Sequence, residues 1–210
     1  MRGKGVNYLY GMLLIGPLLS ICYSGCGIST TSYLYPPARL DVSGSQITVQ
    51  NDGANYEPSE GSSQTFKGID IFYRIFQDYA NAGNMFTSLN DWVDTYSGNP
   101  EAFINRAKSN GFFPIRRAST AMQPLITLAA TDESLHTIDT SNWKLDGIVQ
   151  VIRNVTKSES DFSAKDFNSA DQDYEGDNSS GVGTFYMVLF AVSYGEDTIG
   201  APVYSDPVVA

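Results

Sequence analysis

The clearest pattern in the chain is the alternation in Lys67–Phe76, KGIDIFYRIF. Ile69, Ile71, Tyr73 and Ile75 fall on one side of an extended strand, and Asp70, Phe72, Arg74 and Phe76 on the other. Gln46–Gln50 (QITVQ) alternates in the same way, and Asn51-Asp52-Gly53 follows as a turn. After residue 111 the period of two returns in Phe112–Arg116, Gln123–Ala130, Leu135–Asp139 and Leu145–Arg153. Thr184–Tyr194 (TFYMVLFAVSY) is apolar on both faces, the pattern of a central strand. Val203 and Val208–Val209 close the series, with Pro202 and Pro207 confining them to edge positions.

Residues 77–111 break this rhythm. Met85, Leu89, Trp92, Val93 and Tyr96 recur at helical spacing, with Ser88 and Asp91 read as a capping box. A second helix is predicted from Asn99 as cap, with Pro100 at its first position, Glu101 near the positive end of the dipole and Gly111 just past its end. Phe103, Ile104 and Ala107 form its buried side. The expected fold class is mainly β: a β-sandwich over 38–210 with a two-helix insertion at about 77–111. Residues 157–183, polar and rich in Gly, Ser and acids, read as a long loop.

The first 26 residues follow a different logic. Arg2 and Lys4 precede an apolar run from Tyr8 to Ile21. This run is shorter than the roughly 20 residues a membrane-spanning helix needs, and it contains Pro17. Short apolar length behind a basic start is the pattern of an export signal. The chain has two cysteines, Cys22 and Cys26, both beside this segment. Residues 27–37 (GISTTSYLYPP) read as a tether stiffened by Pro36 and Pro37.

Residues Tyr23-Ser24-Gly25-Cys26 resemble the lipobox of bacterial lipoproteins, with Tyr23 in place of the usual Leu, a relaxed form familiar among spirochaetal lipoproteins. The resemblance implies removal of 1–25 as a signal peptide, lipidation of Cys26, and a location in the cell envelope. Gly27 rather than Asp after the anchor implies the outer membrane by the rule of enteric lipoproteins. Two or more acyl chains would hold the chain on a membrane stably. The strand texture of KGIDIFYRIF, of Trp143–Val151 and of the closing AVSYGEDTIGAPVYSDPVV resembles fibronectin type III-like domains. That resemblance implies a fold and little about function.

Charge narrows the partners. With 13 basic and 23 acidic residues the net charge is −10, and loss of Arg2 and Lys4 makes it more acidic. Nucleic acid is excluded as a partner, because binding its phosphates requires clustered cations. His136 is the only histidine, so multi-histidine zinc sites and a Cys–His dyad after residue 26 are excluded, and His136 itself reads as structural. No phosphate-binding glycine loop or GxSxG elbow occurs. A non-catalytic binding or structural module is the resulting expectation. A carbohydrate-binding or glycan-cleaving envelope domain is the alternative, since scattered carboxylates cannot be paired by counting.

Two local patterns carry candidate chemistry. Asp171, Asp173, Glu175 and Asp177 alternate before and after Gly176, like the first half of a calcium loop, although the twelfth position is Val182 instead of a bidentate Glu. A solvated acidic loop and a Ca2+ site are the two readings, and Ca2+ is the one cofactor carried forward. Phe86, Trp92 and Tyr96 on the insertion are read chiefly as packing residues, and alternatively as contacts to an envelope or host protein or glycan.

Overall fold

A computed structural model describes residues 34–56, 64–118, 124–154, 162, 167–177 and 184–210. Two long strands organise it. β3 (Gln64–Phe76) and β11 (Tyr186–Asp197) run antiparallel through twelve register pairs, with a bulge at Tyr194/Gly195. On the far side of β3 lie β4 (Phe113–Pro114), β6 (Ile126–Thr127) and the parallel β10 (Tyr174–Glu175). On the far side of β11 lie β12 (Pro202–Tyr204) and β13 (Val208–Val209). The second sheet has the order β1-β2-β7-β8-β9-β5, built from Arg39–Ser43, Gln46–Gln50, Leu135–Asp139, Lys144–Leu145, Val149–Ile152 and Arg116–Arg117.

The alternation of β3 decides which core each residue joins. Ile69, Ile71, Tyr73 and Ile75 enter the core between the sheets with Leu189 and Ala191, opposite Leu40, Ile47, Val49, Ile138, Leu145 and Val151. Phe72 and Phe76 enter a second core on the outer face, with Val188, Phe190 and Val192 of β11. Helix α1 (Tyr79–Thr95) and helix α2 (Pro100–Ser109) cover that face with Ala82, Leu89, Phe103, Ile104 and Ala107. The molecule is thus a β-sandwich with a two-helix insertion forming a third layer.

Helix α2 begins and ends where its sequence predicts. The Asn99 side chain accepts from the Ala102 N–H at 3.3 Å, and Pro100 opens the first turn. At the other end Phe112 N–H donates to Ala107 O and Gly111 N–H to Lys108 O, a Schellman closure. Gly111 has φ +79°, and a Cβ there would lie 2.6 Å from Gln172 O, so glycine is required twice over. Helix α1 corrects the predicted capping box. Asp78 is the cap, accepting from Asn81 N–H at 3.0 Å, and Ser88 lies inside the helix with its hydroxyl donating to Asn84 O.

The described end of the predicted tether, residues 34–37, packs onto the domain. Leu34 is buried in the inter-sheet core, and Tyr35 O accepts from Ser193 Oγ at 2.6 Å and from Asn55 Nδ2 at 3.0 Å. A hydrophobic residue followed by an aromatic and two prolines docks here because the bulge at Gly195 leaves room: a Cβ on Gly195 would meet Leu34 at 3.0 Å. No helix among the described residues is long and apolar enough to cross a membrane.

Candidate functional site

Three places bring polar chemistry together. The first is buried. Arg153, at the end of β9, is fully buried with Asp173, and Asp171 is nearly so. Arg153 Nε donates to Asp173 Oδ2 at 2.9 Å, and Nη2 donates to Asp173 Oδ1 and to Asp171 Oδ2 at 3.0 Å. The Tyr73 hydroxyl donates to Asp173 Oδ2 at 2.5 Å and accepts from Asn154 N–H at 2.9 Å. The guanidinium also stacks 4.8 Å from the Phe167 ring centroid. Burial and then the Asp173 charge hold the Tyr73 phenol well above its usual range. Burial acts to lower Arg153, but its bonds and charge contacts with the two aspartates outweigh it and leave the guanidinium above its ordinary value. One cation among two carboxylates and a phenol fastens 167–177 to β3 and β9. Such a buried pair adds little net stability but is costly to break on one side.

This cluster relocates the acidic run. Asp171 and Asp173 face Arg153, Glu175 pairs with Arg74 at 2.7 Å, and Asp177 N–H donates to Gln77 Oε1 at 2.8 Å. Among the described residues no three His, Cys, Asp or Glu side chains are grouped to hold a metal ion. The two aspartates expected at the surface are interior instead, because Arg153 supplies the counter-charge that lets them be buried. Val182, the twelfth position of that pattern, and Cys26 both lie outside the described residues.

The second place is at the surface. His136 Nδ1 lies 2.8 Å from Asp146 Oδ2, and Nε2 lies 3.1 Å from Ser134 Oγ. This is the bond order of an acyl-transfer triad. The Ser134 hydroxyl, however, also donates to Asp132 Oδ1 at 2.6 Å, and the Ser134 N–H donates to the same oxygen at 3.0 Å. The exposed serine hydroxyl thus has a carboxylate as well as the imidazole within hydrogen-bond reach. Asp146 is at φ +51° and accepts from Thr137 N–H at 2.9 Å, so the network ties β7 to the β8–β9 turn. Sequence reading missed it because Asp146 is ten positions from His136, on a turn that no motif marks.

The third place is an open groove of about 390 Å³ between α2 and β12. Glu101, Ile104, Asn105 and Lys108, one stripe of α2, form one wall, and Pro202 and Tyr204 the other. Both carboxylate oxygens of Asp206 accept from Gly98 N–H, at 3.1 and 3.2 Å, and tie the α1–α2 turn to the segment after β12. Among the described residues Glu101 and Asn105 make no side-chain hydrogen bond or ion pair, although both line the groove.

The insertion's aromatics divide. Trp92 and Tyr96 pack, partly buried, against the outer core, with Arg106 stacked 5.1 Å from the Trp92 ring. Phe86 is 42% exposed, and Tyr79, at the start of the same helix, is 72% exposed while it touches Tyr186 edge-on. The structure therefore does not gather Phe86, Trp92 and Tyr96 into one exposed patch.

No family model matches the chain, and neither a curated protein nor a solved structure matches it.

Proposed function

We propose that this chain is a lipid-anchored protein of a bacterial cell envelope, at the outer membrane, whose β-sandwich binds or assembles rather than catalyses. The observation that carries the proposal is Gly25-Cys26 directly after a basic start and a short apolar run, in a chain with no cysteine after residue 26. An exported domain without a disulfide needs another reason to keep a cysteine at that point, and acylation supplies it. Leu34, the first described residue, is buried in the inter-sheet core, and the seven residues Gly27–Tyr33 lie between it and Cys26 in the sequence. Even fully extended, a stretch of seven residues reaches at most roughly 25 Å, which would keep the sandwich close to the membrane. The negative charge repels anionic lipid, so attachment rests on acyl chains and not on a basic patch. The two-sheet architecture supports a fibronectin type III-like reading as part of this proposal.

The non-catalytic half of the proposal rests on the one triad-like network in the described residues, whose serine is already bonded to Asp132. Detergent-phase partition tests the anchor: the wild type should enter the detergent phase, and Cys26→Ser should stay aqueous. Equal partition of the two would remove the anchor. A panel of chromogenic esters and glycosides tests the other half. Turnover abolished by Ser134→Ala, or by a single carboxylate change, would make the protein an enzyme.

The alternative reading, a carbohydrate-binding domain, is favoured by one observation: the α2–β12 groove carries unengaged polar side chains beside an aromatic.

A further inference from the structure

We infer that the groove between α2 and β12 is a binding site for a neutral saccharide unit. The inference rests on the reading of the chain as a binding module and adds the place and the ligand class.

Size comes first. About 390 Å³ lies within the range of small-ligand sites. Chemistry comes second. Glu101 supplies a carboxylate acceptor, Asn105 an amide with donors and an acceptor, and Lys108 an ammonium donor. A vicinal diol needs this mixture of donors and acceptors. Pro202 and the partly exposed Tyr204 ring add apolar surface suited to the C–H face of a pyranose. One carboxylate and one ammonium leave the groove with no net charge, so it has nothing to select a cation. An anion would also approach a molecule of net charge −10.

Preorganisation comes third. Glu101 and Asn105 are fixed on a helix capped at both ends by Asn99 and by the Gly111 closure. The Asp206–Gly98 clamp holds the loop before α2 to the segment after β12. A ligand entering fixed walls loses less free energy to ordering than one that must fold a loop around itself. Glu101 and Asn105 also have no structural task within the described residues, so a sugar hydroxyl would displace water only.

The experiment uses the full chain in mild detergent on an immobilised panel of glucose, galactose, mannose and N-acetylglucosamine, as monomers and linked dimers. Acidic glycans and a random peptide pool are included. At least one neutral glycan should be retained. Asn105→Ala and Glu101→Gln should each weaken it about tenfold or more, while Lys144→Ala on the opposite sheet leaves it unchanged. All three positions are exposed or part-exposed, and unchanged melting temperatures would show that the variants fold. Retention of no neutral glycan, or retention indifferent to both groove variants, would overturn the inference. So would preferential capture of acidic glycans or of peptides. Cleavage of a bound neutral glycan, lost in Glu101→Gln, would uphold the site and overturn the non-catalytic reading. Failure here leaves detergent partition through Cys26 untouched, so the two proposals fail separately.

Discussion

The sheet formed by β3 and β11 has two covered faces, and they are held in different ways. The face toward the second sheet is packed with Ile69, Ile71 and Ile75 but ends in the buried Arg153–Asp171–Asp173–Tyr73 network. The face toward the helices is aromatic: Phe72 and Phe190 stack at 4.8 Å, and Phe103 and Phe112 close on Phe190 at 5.0 and 5.5 Å. Aromatic packing is non-directional in its main term and tolerates repacking. The ionic network is directional and fails when one member is removed. The lesson is that the aliphatic core sets the sandwich, while a charge network fixes where one loop lies upon it.

The largest effect should come from Asp173→Ala. It strands a fully buried guanidinium and the Tyr73 hydroxyl, and should cost about 3–5 kcal/mol in urea unfolding. A loss below about 1 kcal/mol would show that Arg153 is not dependent on Asp173. Phe103→Ala on the other face should cost about 3 kcal/mol, the ordinary range for a buried phenylalanine. If that variant proved the costlier by far, the contrast between the faces would be reversed.

Asp70 sharpens the comparison, because it is the buried carboxylate on the helix side. Its Oδ1 accepts from Leu125 N–H at 2.7 Å, and its Oδ2 has no hydrogen-bond partner among the described residues. Burial pushes its pKa up to about 6, against the opposing pull of the Leu125 hydrogen bond and of Lys108. The raised value means the folded state favours the protonated acid. Its favourable contribution is therefore present below the unfolded value near 3.8 and is lost as pH rises through about 6. Asp70→Asn should match the wild type near pH 3.5 and exceed it at pH 8 by up to about 3 kcal/mol, read from paired unfolding curves. A constant difference across that range would contradict the assignment. The smallest effect belongs to Arg106→Ala, which removes the stacking over partly exposed Trp92 and should cost about 0.5 kcal/mol.

What the sequence shows and what it hides follow from this contrast. The alternation in β3 and the caps of α2 are local, so their residues specify them without partners. The start of α1 is less legible because Asn81, Gly83 and Asn84 are weak helix formers, and the outer core, not propensity, holds that turn. The ionic network is invisible in sequence: Asp171 and Asp173 lie 18 and 20 positions from Arg153, in a run whose composition is that of a solvated loop. The groove is equally hidden, since α2 and β12 are distant in sequence and meet only in the fold.

The mass of the N-terminal peptide of protein purified from membranes decides whether Cys26 carries a lipid anchor. A lipoprotein should yield a peptide that begins at Cys26 and carries a diacylglyceryl group. A peptide that begins upstream of Cys26, or one with its thiol unmodified, would contradict the anchor.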